Sequence, residues 1–484
     1  MKKAILVFSL LLIFSVLLAS CKATTGDESS ATSSEATSSA VSEEESGYNV
    51  SIPEMDMDEL EIRFLVAGSE NMYYESFDIY SEELNNELLN DEIYNRNHRI
   101  QEKYNCVITE EKVANVATTA EQYMRAGTDD FDIYMPYLHN AVSLASQGYF
   151  YNLYDLDNLN LDQPYWDQKF NEYLTINEKL YFSTGDISML DNECTMVMFF
   201  NKDLITDYNL EDPYTLVQNK EWTLDKVYEI SKGFTLDNGD SKFDQEDRYG
   251  LHVAFNAPHS FFFSCGGRIT NSTTDGGFEL AMKSGKNIAL IQHIFEITND
   301  SEVLTNNTSG CNSFEAICEM FVEGRVMFTT FALVDMLQFK DAENFNFGIL
   351  PYPLDDSNQD EYTCLVSTSL VPVVCIPTTN THLDETTIIV DALARESAET
   401  VTPAYYEKIL KKRTLQDNDS EEMLDIIFAS RAYDVGYVFN WGGIGSMLEG
   451  MYGTNKEFVS TYDSLEGSAL TAMNDTIQTF ELLN

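Results

Sequence analysis

The chain is poor in positive charge: 29 Lys and Arg stand against 80 Asp and Glu, a formal net charge of −51 over 484 residues. Nucleic acid is excluded as a partner, because Lys and Arg must displace its counterions. Docking of the protein body on anionic lipid headgroups is excluded for the same reason. Lys408, Lys411, Lys412 and Arg413 form the one basic cluster, on a stretch that reads as a solvated helix face. Cysteine is sparse: after Cys21 there remain Cys106, Cys194, Cys265, Cys311, Cys318, Cys364 and Cys375, with no C-x-x-C pair and no zinc-like spacing. A chain this long has no need of a disulfide framework, so these read as small buried hydrophobes, with a Cys311–Cys318 bridge the one local pairing the spacing allows. The six histidines are scattered at His98, His139, His252, His259, His293 and His382. No H-E-x-x-H, G-x-S-x-G, P-loop or G-x-G-x-x-G occurs, so no motif points to metalloprotease, serine hydrolase, nucleotide or dinucleotide chemistry.

Long apolar runs are missing too, except at the very start. Lys2 and Lys3 precede an apolar stretch from Ala4 to Leu18, followed by Leu18-Ala19-Ser20-Cys21. A basic flank, a short apolar core and small residues before a cut describe a secretory signal peptide over 1–20. The cysteine placed after Leu-Ala-Ser resembles the lipobox of bacterial lipoproteins. That resemblance implies a diacylglycerol on Cys21, which would become the first residue of the mature chain. From Lys22 to Gly47 the chain is almost entirely Ser, Thr, Ala, Glu and Asp, with no aromatic residue and Val41 as its only large aliphatic one. It cannot bury enough apolar surface to offset its chain entropy, so 21–58 reads as an acidic tether behind the lipid.

The remainder is rich in what a core needs, with 27 Tyr and 29 Phe, and is longer than one core usually holds, so two lobes are expected. Leu60, Ile62, Phe64 and Val66 alternate as a strand. Leu88, Leu89, Ile93, Ile100 and Tyr104 share a helical face, and strands follow at Cys106–Thr109 and Phe131–Pro136. This rhythm predicts an α/β fold with largely parallel pairing. Thr223 is placed as an N-cap with Trp222 and Val227 as its hydrophobic staple. Ser313 caps a helix ended by Gly324, Val326–Phe331 reads as a strand, and the last helix runs near Leu465–Phe480.

Ordered blocks then resemble the extracellular solute-binding proteins of ABC importers, the maltose-binding-like family 1. They are Gly127–Tyr134, Met196-Val197-Met198-Phe199-Phe200-Asn201-Lys202-Asp203-Leu204, Glu221–Lys226, and Phe321–Phe328 leading to Phe347–Pro353. Thr402–Glu407 and Ser420–Asp425 are similar to a subgroup of such lipoproteins in anaerobic Firmicutes. The resemblance implies a two-lobed, periplasmic-binding-protein-like type II fold with hinge crossovers. Lobe 1 is expected from 59–195 and 326–372, lobe 2 from 196–325 and 373–484. It further implies a monomeric, non-enzymatic receptor on the outer face of a Gram-positive cell membrane, passing a small ligand, a sugar or oligosaccharide, to ABC permease subunits. A surface glycoside hydrolase stays open as an alternative, since a carboxylate pair is not visible in a sequence with so many acids. A polysaccharide-binding adhesin is the other.

A sugar receptor stacks aromatic faces on ring C–H groups and aims polar groups at hydroxyls. Candidates for this are Tyr137 and His139 after the third strand, Asp186 before the first crossover and Phe331 at the end of a strand. Tyr437 and Trp441 stand where the family often supplies a C-terminal aromatic platform; Trp441, followed by Gly442 and Gly443, suits either ligand stacking or core packing. Separately, Asn238-Gly239-Asp240-Ser241-Lys242-Phe243-Asp244-Gln245-Glu246-Asp247 resembles a calcium loop with Asn238, Asp240, Asp244 and Asp247 as ligands. Leu236 stands at the position that should open such a loop and Ser241 replaces its glycine, which favours a plain acidic turn. No other cofactor is expected.

Overall fold

Strand β1 (Leu60–Ala67) is covered on both faces, with Ile62, Phe64, Leu65 and Val66 all fully buried, as a central parallel strand requires. In this computed structural model, which describes residues 48, 50–68, 75–274, 277–305, 308–311, 313–339, 342–343, 345–410 and 418–483, Val50–Asn484 forms one compact unit. The signal peptide, Cys21, the tether up to Gly47, and Lys411, Lys412 and Arg413 lie outside the described residues. Strand β1 pairs in parallel with β2 (Cys106–Val113) from Leu60↔Cys106 to Ala67↔Val113, and with β3 (Ile133–Tyr134). Parallel neighbours need a crossover. The Leu88–Tyr104 helix supplies it, burying Leu89, Ile93, Ile100 and Tyr104 and stopping at Asn105 in the left-handed region (φ 49°). Bridges Tyr134↔Cys375 and Ser183↔Val374 widen this sheet by the segments around 372–377 and 180–184.

The second lobe is a five-stranded mixed sheet. Its members are β4 (Met196–Asn201), β5 (Tyr249–Val253), β8 (Leu304–Thr305), β9 (Val326–Ala332) and β10 (Phe347–Leu350), ordered β10-β4-β9-β5-β8. Strand β4 runs antiparallel to β9 and β10, while β5 is parallel to β8 and β9. A hairpin of β6 (Thr270–Ser272) and β7 (Phe278–Leu280) lies outside it. The expected helix starts form: Thr223 accepts from Lys226 N and Ser313 from Ala316 N, with Trp222 and Val227 fully buried as the staple.

Strand pairing corrects the expected lobe boundaries. Residues 326–350 join β4 and β5 in lobe 2, and 372–377 enter the sheet of lobe 1. The Leu383–Glu396 helix also packs on the Leu88–Tyr104 helix. Apolar patterning marks a strand but not its neighbour, which is a long-range choice. Where the chain passes between lobes it is stitched by Thr195↔Val366 and by β11 (Cys364–Leu365) paired in parallel with β12 (Arg431–Ala432). The closing helix, Phe458–Leu482, reaches both lobes: Lys283 Nζ lies 2.6 Å from Asp463, and Phe480 packs edge-on to Tyr181 at 4.8 Å. Cys311 and Cys318 are free and buried, like the other described cysteines. Among the described residues no helix is long and apolar enough to cross a membrane.

Candidate functional site

In open α/β sheets the carboxyl ends of the parallel strands border the ligand crevice. On lobe 1, β3 runs out through Pro136 into Tyr137, the residue before the Leu138–Ser146 helix. The rings of Tyr137 and His139 lie nearly parallel, 6.5 Å apart at 12°. The returning crossover fixes them: Leu138 N donates to Val371 O, while His139 N donates to Thr368 O at 3.0 Å and His139 Nδ1 lies 3.2 Å from the same carbonyl. Burial pushes the Tyr137 hydroxyl up to about 12, so it stays a neutral hydrogen-bonding group.

On lobe 2, β5 ends at Val253 and the chain turns through Ala254, Phe255 and Asn256 into the Ala257–Ser264 helix. Phe255 is 58% exposed, the most open of the described phenylalanines, at a strand end where apolar surface serves no core. One turn on, buried His259 sits with its ring 5.1 Å from that of Tyr437 and its Nδ1 3.5 Å from Glu449 Oε1. Tyr437 belongs to the short Val435–Phe439 helix. Asp434 caps that helix through Gly436 N and Tyr437 N and also accepts from Ile269 N and Thr270 N, which pins it to lobe 2. The Tyr437 hydroxyl lies beside the side chains of Thr368 and Glu449, and burial, then the Glu449 charge, raise its pKa.

Thr368 is therefore the meeting point: its carbonyl holds His139 of lobe 1 and its side chain meets Tyr437, which leans on lobe 2. Three of the residues marked in the sequence, Tyr137, His139 and Tyr437, come together there. Three others join them that the sequence did not single out, His259, Thr368 and Glu449, and Phe255 stands open one turn before His259. The Pro258 helix start after the β5 run is the only local signal for Phe255; the rest are assembled by the crossovers.

The other marked residues are placed elsewhere. Phe331, at the end of β9, is buried between His252 (5.1 Å) and Phe314 (4.9 Å). Trp441 is 3% exposed, flanked by Phe278 and Phe439, and its Nε1 donates to Thr476 Oγ1 at 2.9 Å, so its surface is used in seating the glycine-flanked loop on the last helix. Asp186 accepts from Thr402 Oγ1 at 2.7 Å in a separate cavity beside Arg431. There Arg431 bonds Asp191 Oδ2 at 2.9 Å and Asn192 Oδ1 at 2.7 Å, and its other terminal nitrogen lies 3.1 Å from Asp167 Oδ2. Burial pushes Asp186 up to about 6 and Asp191 up to about 7, against the pull of Arg431. Burial also opposes the Arg431 charge, but Asp191 and Asp167 outweigh it and hold the guanidinium above its ordinary value.

In the loop at 238–247 the acidic side chains bond the loop's own backbone. Asp247 accepts from Asn238 N and Asp244 N, Asn238 from Asp240 N, Asp240 from Lys242 N, and Asp244 from Glu246 N. These are the bonds of an acidic turn. Among the described residues no group of three or more His, Cys, Asp or Glu is arranged to hold a metal ion.

No protein-family model matches the chain, and no curated protein matches it in sequence. Solved structures do match along most of its length. UspC of M. tuberculosis has a TM-score of 0.56 at 12% identity, covering 85% of this chain and 100% of that one. A cyclo/maltodextrin-binding protein complexed with maltotetraose has a TM-score of 0.55 at 12% identity, covering 87% and 96%. The maltose-binding protein MalE of Listeria monocytogenes, in complex with maltose, has a TM-score of 0.53 at 15% identity, covering 88% and 97%. The sheet topology, the stitched crossovers and these likenesses give one conclusion: this chain has the two-lobed α/β fold of ABC-transporter solute-binding proteins.

Proposed function

We propose that the protein is an extracellular receptor that captures a sugar or oligosaccharide between its lobes and delivers it to an ABC permease. The observation that carries this reading is the convergence on Thr368 of aromatic and polar groups from both lobes, at strand ends, with Phe255 open one turn before His259. Ring faces of Tyr137, Phe255 and Tyr437 suit the C–H faces of pyranoses, while His139, Asn256 and Glu449 offer partners to hydroxyls. Maltose and maltotetraose, bound by proteins of similar fold, support the ligand class. The function is closure without catalysis: contacts made by both lobes favour the closed state, and a permease reads that state.

The lipid on Cys21 and the acidic tether would keep this receptor at the outer face of the membrane, as the lipobox resemblance implies. Calorimetric titration of maltose, maltotetraose and other glycans into the full chain, with small-angle scattering, tests the reading. Saturable binding with compaction is expected. No binding of any glycan, or release of reducing sugar during the titration, overturns it. Cys21→Ala should release the protein from cells without changing sugar affinity; retention on the membrane would refute the anchor.

A further inference from the structure

A cavity of about 350 Å³ opens where the crossovers meet, and none of the residues gathered around Thr368 lines it. Trp166 and Lys169 of lobe 1, Asp186 and Asp191 of the first crossover, Tyr406 of the Thr402–Leu410 helix and Arg431 of β12 form its walls. Asp191 is 1% exposed, and while its Oδ2 accepts from Arg431, its Oδ1 has no hydrogen-bond donor. Arg431 in turn has no acceptor for its Nε. A buried acceptor and a buried donor thus stand unmatched in one ion pair, which native interiors seldom tolerate without a partner.

The charges do not balance either. Asp167, Asp186 and Asp191 face the single guanidinium, and the Lys169 ammonium is engaged with Ala429 O at 2.7 Å. The geometry points to a second ligand site in this cavity, for a small amino alcohol. Its ammonium donates to Asp191 Oδ1 and to Asp186, with Tyr406 as an aromatic wall for the cation. Its hydroxyl accepts from the Arg431 Nε–H. Burial that holds both carboxyls up, to about 6 and about 7, marks the uncompensated negative charge that such a cation relieves. Uncharged sugars lack that cation, so the occupant here differs in class from that of the cleft.

Ethanolamine is the probe, with glycerol as its uncharged counterpart, titrated calorimetrically into the full chain. Saturable ethanolamine binding is expected, at least about tenfold tighter than glycerol, the worth of one hydrogen bond between charged groups. Asp186→Asn, which leaves the Arg431 ion pairs in place, should weaken it by about tenfold; Tyr406→Leu, which removes the aromatic wall, provides a second variant should the first fail to fold. Phe255→Ala, in the cleft, should leave it unchanged. No saturable heat, equal binding of glycerol, indifference to both cavity variants, or loss in Phe255→Ala would each overturn the site. The last result would place ethanolamine in the cleft.

Discussion

Replacing Arg431 with Met tests how the crossovers are held. The guanidinium lies 3.1 Å from Asp167 Oδ2 and 2.9 Å from Asp191 Oδ2, and those side chains are only 4% and 2% exposed. Without it, two buried carboxylates face each other uncompensated, a loss of about 3–5 kcal/mol for breaking a buried pair from one side. With an unfolding entropy of about 2.1 cal/mol/K per residue, a unit of this size should lose roughly 3–6 °C in Tm. The sign with pH follows from Asp191, whose folded pKa of about 7 lies above its ordinary 3.8. Between those values the native state keeps a proton that the unfolded chain has released, so this group's contribution falls as pH rises through that window. The Arg431→Met penalty should therefore be smaller at pH 5, where Asp191 is protonated in the fold, than at pH 8. Arg431→Met/Asp191→Asn should recover much of the loss, a coupling that a double-mutant cycle measures. Calorimetric melts at both pH values read this out; equal losses at pH 5 and pH 8 with additive variants would refute the electrostatic account.

Glu110 lies on β2 with its side chain 8% exposed, and burial pushes its carboxyl up to about 7 although Lys112 Nζ is 3.6 Å away. Its contribution likewise falls from its ordinary 4.5 to about 7, so Glu110→Gln should stabilise the protein at pH 8 by about 1–3 kcal/mol and hardly at pH 4. Urea melts check this, and an unchanged pH slope counts against it. Trp441→Ala should cost about 3–5 kcal/mol of stability by emptying a packed site, yet leave the sugar affinity of folded molecules unaltered. A titration showing lost affinity at intact stability would make the ring a ligand contact instead. Tyr437→Phe removes the hydroxyl that lies beside Thr368 and Glu449 and should weaken sugar binding by about five- to tenfold. Unchanged affinity would mean that this hydroxyl does not shape the cleft.

Much of the local structure was legible. The alternation of Leu60, Ile62, Phe64 and Val66, the helical face of Leu89, Ile93, Ile100 and Tyr104, and the caps at Thr223 and Ser313 all form as their spacing predicts. Periodicity reports which way a side chain points relative to its own backbone, and capping is a contact between residues three apart. The candidate site was legible only in part. Tyr137 and His139 follow from lying after a strand, whereas nothing local told that Phe255, after an apolar strand, is open, or that Trp441, followed by two glycines, is sealed.

By itself, the sequence determined several helices and strands, the absence of recognisable catalytic motifs, and a strongly acidic charge, because each depends on composition or on residues near one another in the chain. Only the tertiary structure decided that β9 and β10 belong with β4. It alone set Thr368 between His139 and Tyr437, and Arg431 between Asp167 and Asp191. Those partners lie scores to hundreds of residues apart, and no local pattern encodes which of many equally apolar or acidic segments will meet; packing of the whole chain selects them.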